Sequence, residues 1–267
     1  MSNNLLIGAI SSNYTPIDIR TWVVSSKNTN SHRVLLLYNS LNDELIQYLR
    51  SHDVDVVIPE FDFWGNEKLT FNTNTGVCNL DVSYDLIHNI RFLHIWSYLQ
   101  NHSYDKVLIT DVKDVCFNKD PFEQISDTHI TATSEEIFYS NENWNKEHLH
   151  YNIGIIGLAK LLDKQVYNVG VFGGPCELIN ELCADIYLSA VGRKKVADQT
   201  AFNYLIQTKY KNQTKFLGLQ DNFAVHLQVV VNGLVNFDLT NLNRYSIIHQ
   251  YDRVPSLKYS IEAKYNA

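Results

Sequence analysis

Near-continuous aliphatic runs alternate with amphipathic stretches through the first half of the chain. LLIGAIS (5–11), RVLLLYN (33–39), VDVVIP (54–59) and KVLIT (106–110) are almost wholly apolar, the pattern of strands buried on both faces. Between them, 17–27, 42–51 and 84–101 have helical spacing, and the last sets Leu86, Ile90, Leu93 and Trp96 on one side. This alternation predicts an α/β fold in which helices cover both faces of a mostly parallel sheet.

Two segments break the rhythm. Residues 60–83 and 134–165 are polar, and the second scatters Phe138, Tyr139, Trp144, His148, His150 and Tyr151 among its polar positions. Both read as long loops, and the aromatic content of the second favours a functional one. Helical spacing returns at 176–192, where Gly192 is placed to cap the C-terminus, and at 198–210, where Asp198 is placed to cap the N-terminus. Further on, KFLGL reads as a strand, and HLQVVV, Asn232-Gly233 and LVNF read as a small C-terminal β hairpin closed by a tight turn. No repeat or composition shift divides residues 1–267, which are read as one domain.

Composition narrows the partners. A net charge of -7 argues against a nucleic-acid backbone or an anionic membrane surface. No apolar run approaches the ~20 residues of a membrane span, so no transmembrane segment is expected. The opening MSNNLLIGAISSNY has no basic leader, and the reading is a cytoplasmic protein. Cys78, Cys116, Cys176 and Cys183 form no CxxC pair and no cluster with zinc spacing, which suits a reducing compartment.

The run KVLIT stops at Asp111, and Asp114 follows three positions later. Ligands of open α/β sheets gather at the carboxyl ends of strands. Two carboxylates there repel each other unless a cation lies between them or backbone amides satisfy one of them. A hard divalent ion, Mn2+ or Mg2+, takes such oxygens and keeps positions for phosphates. The plainer alternative is a turn acid beside a solvated one.

Residues 106–122, KVLITDVKDVCFNKDPF, resemble the metal-binding strand end of the GT-A fold nucleotide-sugar glycosyltransferases, where a hydrophobic strand runs into a DxD motif and an aromatic turn. Further stretches resemble that family in the same order: SSNYTPI (11–17), YNVGVFGG (167–174), DQTAFN (198–203) and IIHQYDR (247–253), the last similar to the late histidine strand of glycogenin-like members. Here the acid spacing is one residue longer, with Lys113 where the second acid would fall. Either Asp114 does that acid's work, or Asp111 ligates alone and Lys113 meets a phosphate.

The resemblance implies a GT-A (Rossmann-like) fold and a metal-dependent glycosyltransferase taking a UDP- or GDP-sugar to a glycan or lipid-linked acceptor, as in polysaccharide biosynthesis. Asp111, Asp114 and His249 would hold the metal, although a histidine after two isoleucines also suits a structural role. Asn13 and Tyr14 would meet the base, and Asn168, Gly174 and Gln199 the sugar. Asp198 would orient the donor or act as base, with Glu135 in the aromatic segment as its rival, and Trp144 or Tyr139 would stack on a sugar ring. Arg91 and Arg253, with the Arg193-Lys194-Lys195 run, are candidates for the phosphates. Two other functions fit less well. A sugar nucleotidyltransferase needs a basic glycine-rich loop that LLIGAISSNY lacks, and a non-catalytic carbohydrate-binding protein leaves the acids unexplained.

Overall fold

A computed structural model describes residues 3–38, 42–59, 68–73, 76–81, 87–193, 196–233 and 237–265, with only the backbone described for 68–73 and 76–81. In chain order the elements are β1 (Asn4–Ser11), α1 (Pro16–Ser25), β2 (His32–Tyr38), α2 (Asp43–Ser51), β3 (Asp55–Val57), β4 (Lys68–Thr73), β5 (Gly76–Asp81), α3 (Ile87–Gln100), β6 (Lys106–Thr110) and β7 (Val115–Phe117). They continue with β8 (Ile130–Phe138), α4 (Asn143–Leu161), β9 (Gln165–Pro175), α5 (Cys176–Ala190), α6 (Asp198–Gln207), β10 (Thr214–Leu217), β11 (Ala224–His226), α7 (Gln228–Val231), β12 (Ile247–His249) and α8 (Pro255–Tyr265).

The central sheet has seven strands in the order β10-β8-β9-β6-β1-β2-β3. All run parallel except β9, which is antiparallel to both β6 and β8. The aliphatic runs follow from burial on both faces. Leu5, Ile7, Val34, Leu36, Val107 and Ile109 join one core cluster with residues of α3, α5 and α6. Their neighbours Leu6, Leu35, Leu37 and Leu108 join a second with Trp22, Leu45 and Leu49 of α1 and α2. Helix starts are fixed by side chains: Asn42 accepts from Leu45 N at 3.1 Å to cap α2, and Thr15 with Asp18 forms a capping box on α1. The predicted α/β class with a mostly parallel sheet is present.

Several expectations are corrected. The segment 60–83, read as a loop, contains the antiparallel pair β4 and β5. The segment 134–165 is not a loop, because β8 runs through Phe138 and α4 follows. Glu142 caps α4 by accepting from Trp144 N and Asn145 N, and the helix kinks at Gly154, where φ is 84°. The C-terminal hairpin is replaced by α7, which ends at an Asn-Gly pair with Gly233 at φ 67°. The left-handed glycine that suits a hairpin turn also suits a helix end. Residues 234–236 of the expected second strand lie outside the described residues. His226 and His249 instead end β11 and β12, which pair parallel beside β7. Among the described residues, no helix is long and apolar enough to cross a membrane, and Cys116, Cys176 and Cys183 are free.

Candidate functional site

Asp111 is the first residue past β6, and its N–H donates to the Gly170 carbonyl of β9 at 2.7 Å. The chain then turns through Asp114 into β7, which pairs antiparallel with β12 so that Val115 lies opposite His249. The Gln250 N–H donates to the Asp114 carbonyl at 2.8 Å. Gln250 takes a left-handed φ of 61° and turns the chain away directly after the histidine. Segments more than a hundred residues apart are thus locked together by backbone hydrogen bonds.

The result is a three-residue cluster. His249 Nε2 lies 3.4 Å from Asp111 Oδ2 and 3.6 Å from Asp114 Oδ1, and the three candidate ligand atoms all fall within 4.8 Å of one another. Ligands of a hard divalent ion at about 2.1 Å lie roughly 3 to 4 Å apart. His249 is buried, and its Nε2 has no hydrogen-bond partner, an arrangement that is costly unless something else engages the nitrogen. The donor set fits Mn2+ or Mg2+. Space for it depends on Gly170, where a Cβ would stand 2.5 Å from Asp111 Oδ2, 2.7 Å from His249 Cε1 and 2.9 Å from Asn168 Oδ1.

Arg91 of α3 ties this cluster to α6. Its guanidinium donates to Asp111 Oδ1 at 2.6 Å and to Asp198 Oδ2 at 3.1 Å, and it is itself buried. Loss of water around Asp111 opposes its ionisation, but Arg91 and His249 outweigh that and hold its carboxyl well below the usual range. Burial raises Asp114, with His249 pulling the other way, and burial raises Asp198 against the pull of Arg91. For His249 burial favours the neutral ring, yet Asp114 and Asp111 shift it upward overall. Its Nδ1 lies 2.9 Å from Nδ1 of His226, which burial first and then His249 hold well below the ordinary histidine value.

Two cavities meet at the cluster, sharing His88, Arg91, Asp111 and Arg253. The smaller, about 380 Å³, lies at the end of β1 against Ser11, Tyr14, Lys113 and Asp114. The larger, about 490 Å³, is lined by Glu135, Asn168, Asp198, Gln199 and His249, with Glu142, Trp144, Asn145, Gln228 and Asn232 around them. Glu135 reaches it through an irregularity in β8, whose register with β9 shifts on both sides of Ser134, and Glu136 takes a left-handed φ of 61°. Glu135 Oε1 accepts from Asn168 Nδ2 at 2.6 Å and Gln199 Nε2 at 3.2 Å. Burial pushes its carboxyl upward, and those two hydrogen bonds only partly oppose it. Asn168 Oδ1 accepts from Gly170 N, and Gln199 Nε2 also donates to Asn145 Oδ1.

Most of the candidates from the sequence therefore share one site. Asp114, rather than Lys113, stands with Asp111 and His249, while the Lys113 ammonium sits 5.8 Å over the Tyr14 ring. Asp198 does not cap α6: Ala197 holds that position, and the carboxylate pairs with Arg91. Gly174 is not at the site, since it pairs with Val107 near the start of β6 and its missing side chain faces His129 and Ile130. Asn13 is exposed and lines neither cavity, and Tyr139 is buried in a satellite cluster, which leaves Trp144 as the rim aromatic. Arg193 is exposed and also lines neither cavity, and Lys194 and Lys195 lie outside the described residues. Sequence reasoning missed His226, His88 and Asn145, and did not separate Gly170, which faces the cluster, from the other glycines of YNVGVFGG; the signal for the first was a histidine at the head of an apolar run. No protein-family model matches the chain, and no curated protein matches it.

Proposed function

We propose that the protein is a metal-dependent glycosyltransferase of GT-A type that transfers a sugar from a nucleoside diphosphate sugar to a saccharide hydroxyl. The observation that carries this reading is the convergence of Asp111, Asp114 and His249 at the carboxyl edge of the parallel strands, on the seam between two cavities. Mn2+ or Mg2+ held by these residues would offset the negative charge of a diphosphate as the sugar bond breaks.

The remaining roles follow from position and charge. The smaller cavity takes the nucleoside, with the base against Tyr14 and with Lys113 and Arg253 as cations toward the phosphates. The larger takes the transferred sugar and the acceptor. Asp198, fixed by Arg91, and Gln199 present hydrogen-bonding groups to sugar hydroxyls. Glu135, whose burial holds its carboxyl above the usual range, is suited to receive the acceptor proton. Trp144, half exposed at the rim, offers a flat apolar face to a pyranose ring. Free cysteines among the described residues fit a reducing, cytoplasmic setting.

Calorimetric titration with UDP and GDP, with and without Mn2+, tests the reading. Metal-dependent binding that is lost in Asp111→Asn, followed by turnover within a nucleotide-sugar panel, is the expected result. Saccharide binding without metal-dependent nucleotide binding would make the protein a lectin-like binder. Formation of a nucleotide sugar from a nucleoside triphosphate and a sugar phosphate would make it a nucleotidyltransferase. Either result overturns the proposal.

A further inference from the structure

His226 and His249 are cross-strand partners. β11 and β12 run parallel with these two residues in register, and the rings meet nearly edge to face, at 84° with centroids 5.2 Å apart. Their Nδ1 atoms are 2.9 Å apart, and both residues are almost wholly buried, at 3% and 1% exposure. Two nitrogens at that distance share one proton, so one ring donates and the other accepts.

The choice of donor decides what the opposite edge of His249 presents. If His226 donated, a neutral His249 would carry its proton on Nε2, aimed at Asp111 and Asp114 from 3.4 and 3.6 Å and closed to a cation. If His249 donates, its Nε2 keeps a lone pair facing the two carboxylates, the arrangement a metal requires. We propose that His226 is the positioning residue of the cluster: its Nδ1 accepts the Nδ1–H of His249 and so holds the Nε2 lone pair toward Asp111 and Asp114.

The acceptor is neutral, and that matters. A carboxylate at position 226 would orient His249 equally well but would add a further, fully buried negative charge beside Asp111 and Asp114. An imidazole accepts the hydrogen bond and leaves the charge of the two acids matched to one divalent ion. The inference rests on the metal reading above but concerns a residue outside the ligand set.

The test compares Mn2+ affinity, by calorimetry or electron paramagnetic resonance, in wild type, His226→Leu and His226→Asn, with thermal denaturation alongside. Leucine removes the acceptor, whereas the Asn side-chain oxygen lies near the position of Nδ1. His226→Leu should weaken Mn2+ binding about 10–100-fold, and His226→Asn should restore most of it. A leucine variant that binds like wild type, or an asparagine variant that loses as much as leucine, overturns the proposal. Should the leucine variant fail to fold, 15N NMR of labelled histidines in the Mg2+-loaded wild type decides. The proposal requires protons on His249 Nδ1 and His226 Nε2, and the reverse pattern overturns it. Failure of the wild type itself to bind Mn2+ would overturn the metal reading as well, a result distinct from a leucine variant that binds normally.

Discussion

Gly170→Ala is the smallest change that probes the candidate metal centre. The glycine already has an ordinary backbone conformation, so its effect should come from the added methyl alone. That methyl would stand 2.5 Å from Asp111 Oδ2 and 2.7 Å from His249 Cε1, about 1 Å inside normal contact. Neither neighbour yields freely, because Asp111 is tied to Arg91 and to the Gly170 carbonyl, and His249 sits in the β11-β12-β7 sheet. Overpacking of this kind costs about 1–3 kcal/mol of stability. A ligand displaced by about 1 Å exceeds the ~0.2 Å tolerance of a metal site, so Mn2+ affinity should fall at least tenfold, or about 1.4 kcal/mol. Gly173→Ala is the control: on the same strand, its methyl would press the Val107 carbonyl at 2.7 Å and Ile125 at 3.0 Å, away from the cluster. Calorimetric Mn2+ titration with thermal melts should show both variants destabilised and only Gly170→Ala weakened in metal binding. Wild-type Mn2+ affinity in Gly170→Ala, or equal weakening in both, would refute the reasoning.

Arg91→Met strands the buried Asp198 carboxylate and unpairs Asp111, and should cost about 3–5 kcal/mol in urea denaturation, with Arg91→Met/Asp198→Asn regaining the part that Asp198 contributes; a single variant as stable as wild type contradicts the ion-pair account. Glu135→Gln can keep both hydrogen bonds to Oε1 while removing a charge that burial disfavours. The folded carboxyl titrates above its unfolded value, so its contribution to stability is fully present below about pH 4 and is lost as the pH rises through the folded value. The variant should therefore melt higher than wild type at about pH 8 and level with it at about pH 4, and a gap that stays constant across that range counts against the argument.

What the sequence disclosed follows from which interactions are local. β1, β2 and β6 were legible because strands covered on both faces must be aliphatic throughout, and Asp111 and His249 because each ends such a run. α4 was hidden because its buried positions, Leu149, Gly157 and Leu161, alternate with exposed Ile155 and Ile156 around the Gly154 kink, which blurs the helical stripe. α7 was hidden because three consecutive valines favour a strand, and only tertiary placement turns them into a short helix. Gly170 and Gly174 look equivalent in YNVGVFGG. Four residues of strand separate them by roughly 13 Å, and only the pairing of β9 with β6 says which one faces the acids. The alignment of His226 with His249 is likewise a matter of strand register, which no single segment encodes.

The ladder joining β7 to β12 connects residues 115–117 with 247–249. A nascent chain that has made both acids holds only part of the cluster until β12, more than a hundred residues further on, has been synthesised and paired. Pairing across so long a sequence separation carries a loop-closure cost that local contacts do not. Assembly of the proposed ligand set is therefore coupled to closure of the β7–β12 ladder, and a copy in which that ladder is open lacks the histidine beside its two acids.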